Sequence, residues 1–247
     1  MKDYIAPADL LSGKTILVTG AGDGIGRAAA LSFAKHGATV ILLGRTVRKL
    51  EAVYDEIEQA GGPQAAIYPM NLEGATAADY QNLADTISEQ LGHLDGILHN
   101  AAFLGSLTPL EQYSLELWSR VMQINLHAPL LLTRACLPLL KKSEAASVIF
   151  TSSDVGRKGE AYWGAYAVSN AAVENLSQIF ADELETNTNI RFNTIDPGAV
   201  RTSMRTRAFP GEDPNTLPVA EEIMQAYLYL ISSDSKNVNG QAMSAQS

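Results

Sequence analysis

The 247-residue sequence contains one cysteine, Cys136, and its four histidines lie in four separate segments. One cysteine excludes an intramolecular disulfide framework and a cysteine-rich zinc site, and scattered histidines do not favour any metal site. A run of about 20 apolar residues is also missing, so the sequence predicts no membrane-spanning helix. The first residues lack the charged and apolar regions of a secretory signal, and we expect a cytoplasmic protein.

Basic side chains are scarce as well. The sequence has 18 lysine and arginine residues against 27 acidic ones, which gives a net charge of −9. This charge repels phosphate-rich partners over most approaches, so we expect neither nucleic acid nor a membrane surface as a partner. A local basic patch can still bind one small phosphate-bearing molecule.

The sequence does contain a regular alternation of short apolar runs and longer helical stretches. The predicted strands cover residues 15–19, 38–43, 64–70, 94–100, 147–151, 190–196 and 240–244. The predicted helices cover residues 24–36, 47–60, 76–91, 115–140, 165–185 and 219–232, the fourth with a bend near Pro129. Runs that are apolar throughout are typical of strands covered on both faces. The order predicts an α/β fold: a single domain over residues 1–247, with a Rossmann-type doubly wound parallel sheet of about seven strands and helices on both faces.

One long irregular segment, residues 198–218, is rich in proline, arginine and threonine. A loop of this length inside one domain is usually a lid or a binding loop. We therefore expect a substrate-side loop at about 198–218.

A glycine-rich segment lies between the first predicted strand and the first predicted helix. Glycine permits a sharp turn there, and the free N–H groups that begin the helix attract phosphate. Between a strand and a helix, such a segment predicts a dinucleotide site; the alternative is a tight structural turn. The predicted site residues are Gly20, Gly22, Asp23, Gly24, Ile25 and Gly26.

The end of the second predicted strand distinguishes between cofactors. NAD-binding folds place an acid there, which accepts a hydrogen bond from the ribose 2′-hydroxyl. This sequence has Gly44-Arg45-Thr46 and no carboxylate, and Arg45 can bind a 2′-phosphate with its forked donors. NADP is therefore favoured over NAD, with a solvated surface arginine as the alternative.

Taken together, these and later motifs resemble the short-chain dehydrogenase/reductase family over nearly the whole chain, and most of all its YciK-like bacterial oxidoreductases. Ser153 stands thirteen residues before Tyr166, as the family's catalytic serine and tyrosine do. The other matching segments are the glycine loop, His99-Asn100-Ala101-Ala102, Met122-Gln123-Ile124-Asn125, and Asp196-Pro197-Gly198 followed by Thr202.

The resemblance implies hydride transfer between NADP(H) and a small carbonyl or secondary alcohol substrate. It implies the catalytic residues Ser153, Tyr166, Asn125 and Asn170. Besides the glycine loop and Arg45, it implies cofactor contacts from Asn71, Leu72, Asn100, Ala101, Tyr166, Asn170, Pro197, Gly198, Val200 and Thr202. In the family, helices such as 115–140 and 165–185 pair between subunits, so we expect a homodimer or homotetramer.

Three positions depart from the family pattern. Asn170 replaces the usual lysine, Asn71 the usual aspartate, and Ala102 the usual glycine. Asn71 keeps an acceptor oxygen, and Ala102 is tolerable if its φ is negative. Asn170 carries no charge, so the cation that favours the Tyr166 phenolate is lost.

Two functional hypotheses therefore remain: an NADP-dependent enzyme with slowed turnover, and a dinucleotide-binding protein with little or none. Arg157 or Lys158, in the loop before Tyr166, is a candidate replacement for the missing cation. For single residues the alternatives are structural. Tyr166 can be a packed aromatic and Asn125 a satisfied core amide, whereas Phe103, Leu104, Tyr162 and Trp163 can wall a pocket or close the core.

Overall fold

The computed structural model describes residues 4–246; residues 1–3 and 247, which the predicted domain includes, lie outside the described residues. The seven strands are β1 (Thr15–Thr19), β2 (Thr39–Gly44), β3 (Ala66–Pro69), β4 (Gly96–His99), β5 (Ser147–Thr151), β6 (Arg191–Asp196) and β7 (Ala242–Ser244). They form one parallel sheet in the order β3-β2-β1-β4-β5-β6-β7. The predicted single-domain, doubly wound α/β fold is confirmed.

The eight α-helices of residues 4–246 are α1 (Gly24–Lys35), α2 (Val47–Gln59), α3 (Ala77–Gln90), α4 (Leu115–Met122), α5 (Ala128–Leu140), α6 (Gly164–Glu185), α7 (Ser203–Ala208) and α8 (Met224–Ile231). They cover both faces because successive strand residues point to opposite sides. On β1, Val18 enters a core with Phe33 of α1 and Tyr227 of α8. Its neighbour Leu17 enters the opposite core with Tyr80 of α3 and Cys136 of α5. In residues 4–246, no helix is both long enough and apolar enough to cross a membrane.

The predicted helix 115–140 is not continuous. A π-helical turn, Gln123–His127, separates α4 from α5, and the break precedes the expected bend at Pro129. Pro129 instead occupies the first turn of α5, where a missing N–H removes no helical hydrogen bond. The π turn interrupts the α-helix directly before Pro129, and the predicted bend near Pro129 stays a prediction.

The segment 198–218 contains more structure than the sequence predicts. Thr202 caps α7 by accepting a hydrogen bond from the Arg205 N–H at 3.2 Å. Arg205 then binds the Glu212 carboxylate with two hydrogen bonds of 2.7 Å. The end of the segment is held by Arg201, whose N–H donates to the Pro218 carbonyl at 2.9 Å. The segment is therefore held by a short helix and by these hydrogen bonds, and it is not an irregular open loop.

The strand order reverses between β1 and β4, which opens a crevice at their carboxyl ends. Buried Thr19 joins the two strand ends, because its Oγ1 accepts from the N–H groups of Asn100 and Ala101 at 3.0 Å each. The candidate site lies at this crevice.

Candidate active site

One cavity of about 610 Å³ follows the carboxyl ends of the strands. Its volume is in the range of small-molecule and cofactor sites. Most of the predicted site residues line it, in an arc from the β2 end to the residues after β6. These are Gly20, Gly22, Asp23, Gly24, Ile25, Arg45, Asn71, Leu72, Asn100, Ala101, Ser153, Tyr166, Asn170, Pro197, Gly198, Val200 and Thr202.

The glycine loop presents free backbone donors to this cavity. No described residue accepts a hydrogen bond from the N–H groups of Ile25 and Gly26 in the first turn of α1. Gly20 has a φ of +69°, and a Cβ at Gly22 would lie 2.9 Å from the Lys49 Cβ. The loop can therefore bring a ligand close to the helix N-terminus, as a pyrophosphate requires.

Gly26, in contrast, does not line the cavity. A Cβ at this position would lie 2.3 Å from the Gly20 carbonyl oxygen, so glycine is required for the contact between α1 and the turn. Gly26 therefore serves packing beneath the loop, and its free N–H leaves the predicted cofactor contact as a prediction.

Asp23 connects the loop to two helices. Its Oδ1 accepts from the Gly24 N–H at 2.8 Å, and its Oδ2 lies 2.6 Å from the Lys49 ammonium of α2. The hydrogen bond from Lys49 holds the pKa of the Asp23 carboxyl below its usual value. The negative charge of Asp23 beside the glycine loop is therefore already neutralised by Lys49.

At the β2 end of the cavity, Arg45 is exposed. No described carboxylate lies within 4.0 Å of its guanidinium. Nearby, Asn71 is exposed and its Oδ1 accepts from the Glu73 N–H at 3.3 Å. An unpaired arginine at this place can bind a phosphate group.

At the other end, Ser153 and Tyr166 line the cavity together with Asn170. Burial raises the pKa of the Tyr166 phenol to about 12, and the charges of Asp196 and Asp154 act in the same direction. The Asn170 side chain opposes this rise only in part. Its Nδ2 donates to the Tyr166 carbonyl oxygen at 2.8 Å. The phenol is therefore fully protonated near neutral pH.

The two candidate replacement cations are not placed beside Tyr166. Arg157 donates from Nε to Glu174 at 3.0 Å and from Nη2 to the Met243 carbonyl at 3.3 Å. Lys158 is exposed and does not line the cavity. The charges that bear on Tyr166 in the described chain are carboxylates.

Asn125 does not line the cavity either. Its Oδ1 accepts from the Phe103 N–H at 2.8 Å, and its Nδ2 donates to the Phe103 carbonyl and to Ser169 Oγ, each at 3.1 Å. Ser169 Oγ in turn donates to the Tyr166 carbonyl at 2.8 Å. The Asn125 amide therefore links Phe103 to the start of α6.

A family model described as short chain dehydrogenase matches residues 14–213. The chain belongs to the short-chain dehydrogenase family. The oxidoreductase YciK of Escherichia coli K12, whose own activity is uncharacterized, is 46% identical over 243 residues, covering 98% of this chain and 96% of YciK.

Solved structures of family members superpose closely. A short-chain dehydrogenase from Salmonella enterica serovar Typhi CT18 is 47% identical with a TM-score of 0.97, covering 99% of this chain and 100% of that one. A protein from Escherichia coli CFT073, classed as a short-chain dehydrogenase and crystallised with NADPH, is 47% identical with a TM-score of 0.95. That match covers 98% of this chain and 100% of the other.

The far end of the cavity in this short-chain dehydrogenase has aromatic walls. The Trp163 ring lies 5.8 Å from the rings of both Tyr166 and Phe209. Phe103 and Leu104 also line the cavity, in agreement with the hypothesis that they wall a pocket. Tyr162 does not: it is exposed, outside the lining, and has a φ of +76°.

Sequence reasoning missed one residue at the centre of the site, Asp154. Its Oδ1 accepts from the Ser153 hydroxyl at 3.0 Å and from the Val155 N–H at 2.8 Å. An acid directly after the predicted catalytic serine was a visible signal, because a carboxylate competes for the hydroxyl proton that the family's chemistry uses. Ala102, by contrast, fits as expected, since Tyr162 is the only non-glycine residue with positive φ in residues 4–246.

Proposed function

We propose that this chain transfers a hydride between NADP(H) and a small-molecule carbonyl or secondary alcohol substrate. The observation that carries the proposal is that one cavity holds two different kinds of group. Free α1 amides and unpaired Arg45 lie at one end, and the Ser153–Tyr166 pair lies at the other. The first set suits a phosphate-bearing dinucleotide, and the second suits proton exchange with a reacting oxygen.

NADP rather than NAD is the proposed cofactor. Arg45 offers forked donors for a 2′-phosphate, and the β2 end has no carboxylate to repel it. The NADPH complex of the Escherichia coli CFT073 relative supports this choice. The cofactor supplies a hydride to the substrate carbon when it is bound.

The remaining cofactor contacts follow from position along the cavity. Asn71 and Leu72 lie after β3, where they can bind the adenine half, and Asn100 and Ala101 lie after β4. Pro197, Gly198, Val200 and Thr202 lie after β6, on the nicotinamide side. A Cβ at Gly24 would lie 3.5 Å from the Thr202 Cγ2, so the segment 198–218 meets the glycine loop above the cavity. We assign this segment as the substrate-side loop of the domain.

Tyr166 is the proposed acid. A phenol with a pKa of about 12 is protonated at neutral pH, so it can donate to an oxygen that becomes an alkoxide. The reverse reaction needs the phenolate, which burial and the neighbouring carboxylates disfavour. Reduction is therefore the favoured direction, and turnover is slow because Asn170 supplies no cation.

A second candidate is a dinucleotide-binding protein with little or no turnover. The observation in its favour is the side chain of Asn170, which carries no charge and donates a hydrogen bond to the Tyr166 main chain. This candidate predicts NADPH binding without consumption of any substrate.

The decisive test uses wild type and Tyr166→Phe, which removes only the hydroxyl. NADPH and NADH are titrated by nicotinamide fluorescence, and NADPH oxidation is then followed with a panel of ketones and aldehydes. We expect both proteins to bind NADPH more tightly than NADH and only wild type to consume it. Binding without consumption would favour the second candidate, and no binding would contradict both. The expected cytoplasmic location is part of the same proposal and is tested by cell fractionation.

A further inference from the structure

The groups that could stabilise a negative substrate oxygen beside Tyr166 are already engaged within the described chain. The Ser153 hydroxyl donates its proton to Asp154 at 3.0 Å. The Asn170 amide donates to the Tyr166 carbonyl at 2.8 Å, and it carries no charge. A ketone that accepts a hydride here becomes an alkoxide that relies on the Tyr166 phenol alone, because Ser153 and Asn170 already donate to other groups.

The charge around the reacting end is negative. Asp154 and Asp196 both act on Tyr166, and Asp196 is buried with its Oδ1 accepting from the Gly198 N–H at 2.8 Å. Glu160 also lines the cavity. A developing alkoxide would therefore stand near carboxylates, which destabilises it.

Most described cations of this region are paired with carboxylates, although Arg207 has no carboxylate within 4.0 Å and the charge of Asp154 also acts on Arg205. Arg205 is neutralised by Glu212 through two bonds of 2.7 Å, and Arg120 is paired with Glu73 at 2.9 Å. Arg207 is exposed on α7 and lines the cavity, and its Nε donates to the Ser203 carbonyl at 3.4 Å. Arg157 is paired with Glu174.

We infer that the preferred hydride acceptor is a protonated imine rather than a ketone, with Asp154 as the residue that selects the positive charge. This inference rests on the proposed hydride transfer and changes only the substrate class. The imine carbon accepts the hydride, and the C=N electron pair becomes the lone pair of a neutral amine nitrogen. No proton is taken from Tyr166, and no negative charge forms beside the carboxylates. One positive charge is present before and after the step, on the substrate first and on the oxidised cofactor afterwards.

The walls of the cavity fit the same ligand class. The rings of Trp163, Tyr166 and Phe209 line its far end, with ring centroids 5.8 Å apart for each contact of Trp163. The Arg205 guanidinium already lies over the Phe209 ring, 3.7 Å from its centroid, so Trp163 and Tyr166 are the rings left for a ligand. Aromatic faces attract organic cations and also contact apolar rings. A cyclic iminium with an apolar or aromatic body suits both the negative charge and the aromatic lining of this end of the cavity.

The test compares two probes of similar size, N-methyl-dihydroisoquinolinium, which is permanently cationic, and tetralone, which is neutral. Binding of the corresponding reduced products, the N-methyl-tetrahydroisoquinoline ammonium and tetralol, to the NADPH-loaded protein is measured by calorimetry, because the reduced nicotinamide is uncharged as in the proposed imine complex. This readout needs no turnover. NADPH consumption with each oxidised probe is measured in parallel.

We expect wild type to bind the ammonium at least about tenfold more tightly than the alcohol, because one neighbouring opposite charge stabilises a cation by about this factor. Asp154→Asn should reduce that ratio about tenfold or more, and Asn170→Lys should reverse it in favour of tetralol and tetralone. Glu89→Gln, which removes an exposed charge on α3 outside the cavity, is the matched control and should change nothing.

A wild-type preference for the neutral alcohol and for tetralone overturns the inference and leaves the proposed function intact. An ammonium preference that survives Asp154→Asn also overturns it, since the selection would then come from elsewhere. NADPH binding with neither probe reduced, by wild type or by Asn170→Lys, overturns the proposed hydride transfer and the inference with it.

Discussion

The ammonium of Lys49 lies 2.6 Å from the carboxylate of Asp23, which ties α2 to the glycine loop at the start of α1. Asp23 is thereby neutralised at the place where a phosphate would bind. Arg45, four residues before Lys49 in the chain, has no such partner among the described carboxylates, so its guanidinium is free to bind a ligand.

The first prediction concerns Arg45. Arg45→Gln should weaken NADPH binding about 10- to 100-fold, because it removes charge-assisted hydrogen bonds to the 2′-phosphate. NADH binding should stay nearly unchanged, since NADH lacks that phosphate. Fluorescence titration of both cofactors measures the effect. Arg48→Gln is the matched control, because Arg48 lies three residues further on, is exposed on α2 and does not line the cavity. Equal losses for both cofactors would contradict a 2′-phosphate role.

The segment 198–218 is predicted to close over the nicotinamide end. Its Phe209 ring contacts Trp163 across the cavity mouth, and the Arg205–Glu212 pair braces it internally. Hydrogen exchange of its amides, measured by mass spectrometry, should slow when NADPH is added. Glu212→Gln should speed exchange in the free protein. Full protection before any cofactor is added would show that the segment does not open.

Exposed apolar side chains on α4 and α6 predict self-association. Leu115 is 81% exposed, Val168 43% and Ile179 45%, although α4 and α6 pack against each other. We expect a homodimer or homotetramer by light scattering at micromolar concentration. The double variant with Leu115→Glu and Ile179→Glu should be monomeric, whereas Ile5→Glu, at an exposed site near the N-terminus, should not change the mass. A monomeric wild type would refute the prediction.

Asn170→Lys should restore the missing charge next to the phenol. We expect the pKa of Tyr166 to fall from about 12 by roughly 1–3 units, measured by ultraviolet difference titration against Tyr166→Phe in each background. Ketone turnover should rise roughly 10- to 1000-fold, mainly in kcat, and the rising limb of alcohol oxidation should move to lower pH. Asn170→Gln keeps a neutral amide and serves as the control. An unchanged pKa and unchanged turnover would place the missing charge elsewhere.

His99 should make stability depend on pH. It is buried, its Nε2 is 2.8 Å from Thr133 Oγ1, and burial lowers its pKa to about 3. In the unfolded chain the pKa is about 6.5, so the unfolded state binds the proton first. The contribution to stability is complete above about pH 6.5 and is lost as pH falls toward about 3. Urea midpoints at several pH values should fall less steeply for His99→Asn than for wild type. Exposed His127, changed to Asn, should keep the wild-type slope.

Local patterns predicted the strands, the glycine loop and the placement of Ser153 and Tyr166, because each depends on neighbours within one strand–helix unit. The π turn was not predictable, since it is stabilised by bonds from Asn125 to the distant Phe103 main chain and to Ser169. A glycine pattern also cannot separate a ligand contact from close packing, so the packing of Gly26 against Gly20 emerges only from the structure.

The π turn at Gln123–His127 sets how far the residues after it are rotated about the helix axis relative to α4. A π turn holds one residue more than an α turn, and one residue corresponds to about 100° of rotation about the helix axis. Deletion of one residue between Gln123 and Asn125 would therefore rotate Asn125 by about 100° relative to α4 and break its hydrogen bonds to the Phe103 main chain and to Ser169. The length of this stretch, and not only its composition, is therefore under constraint.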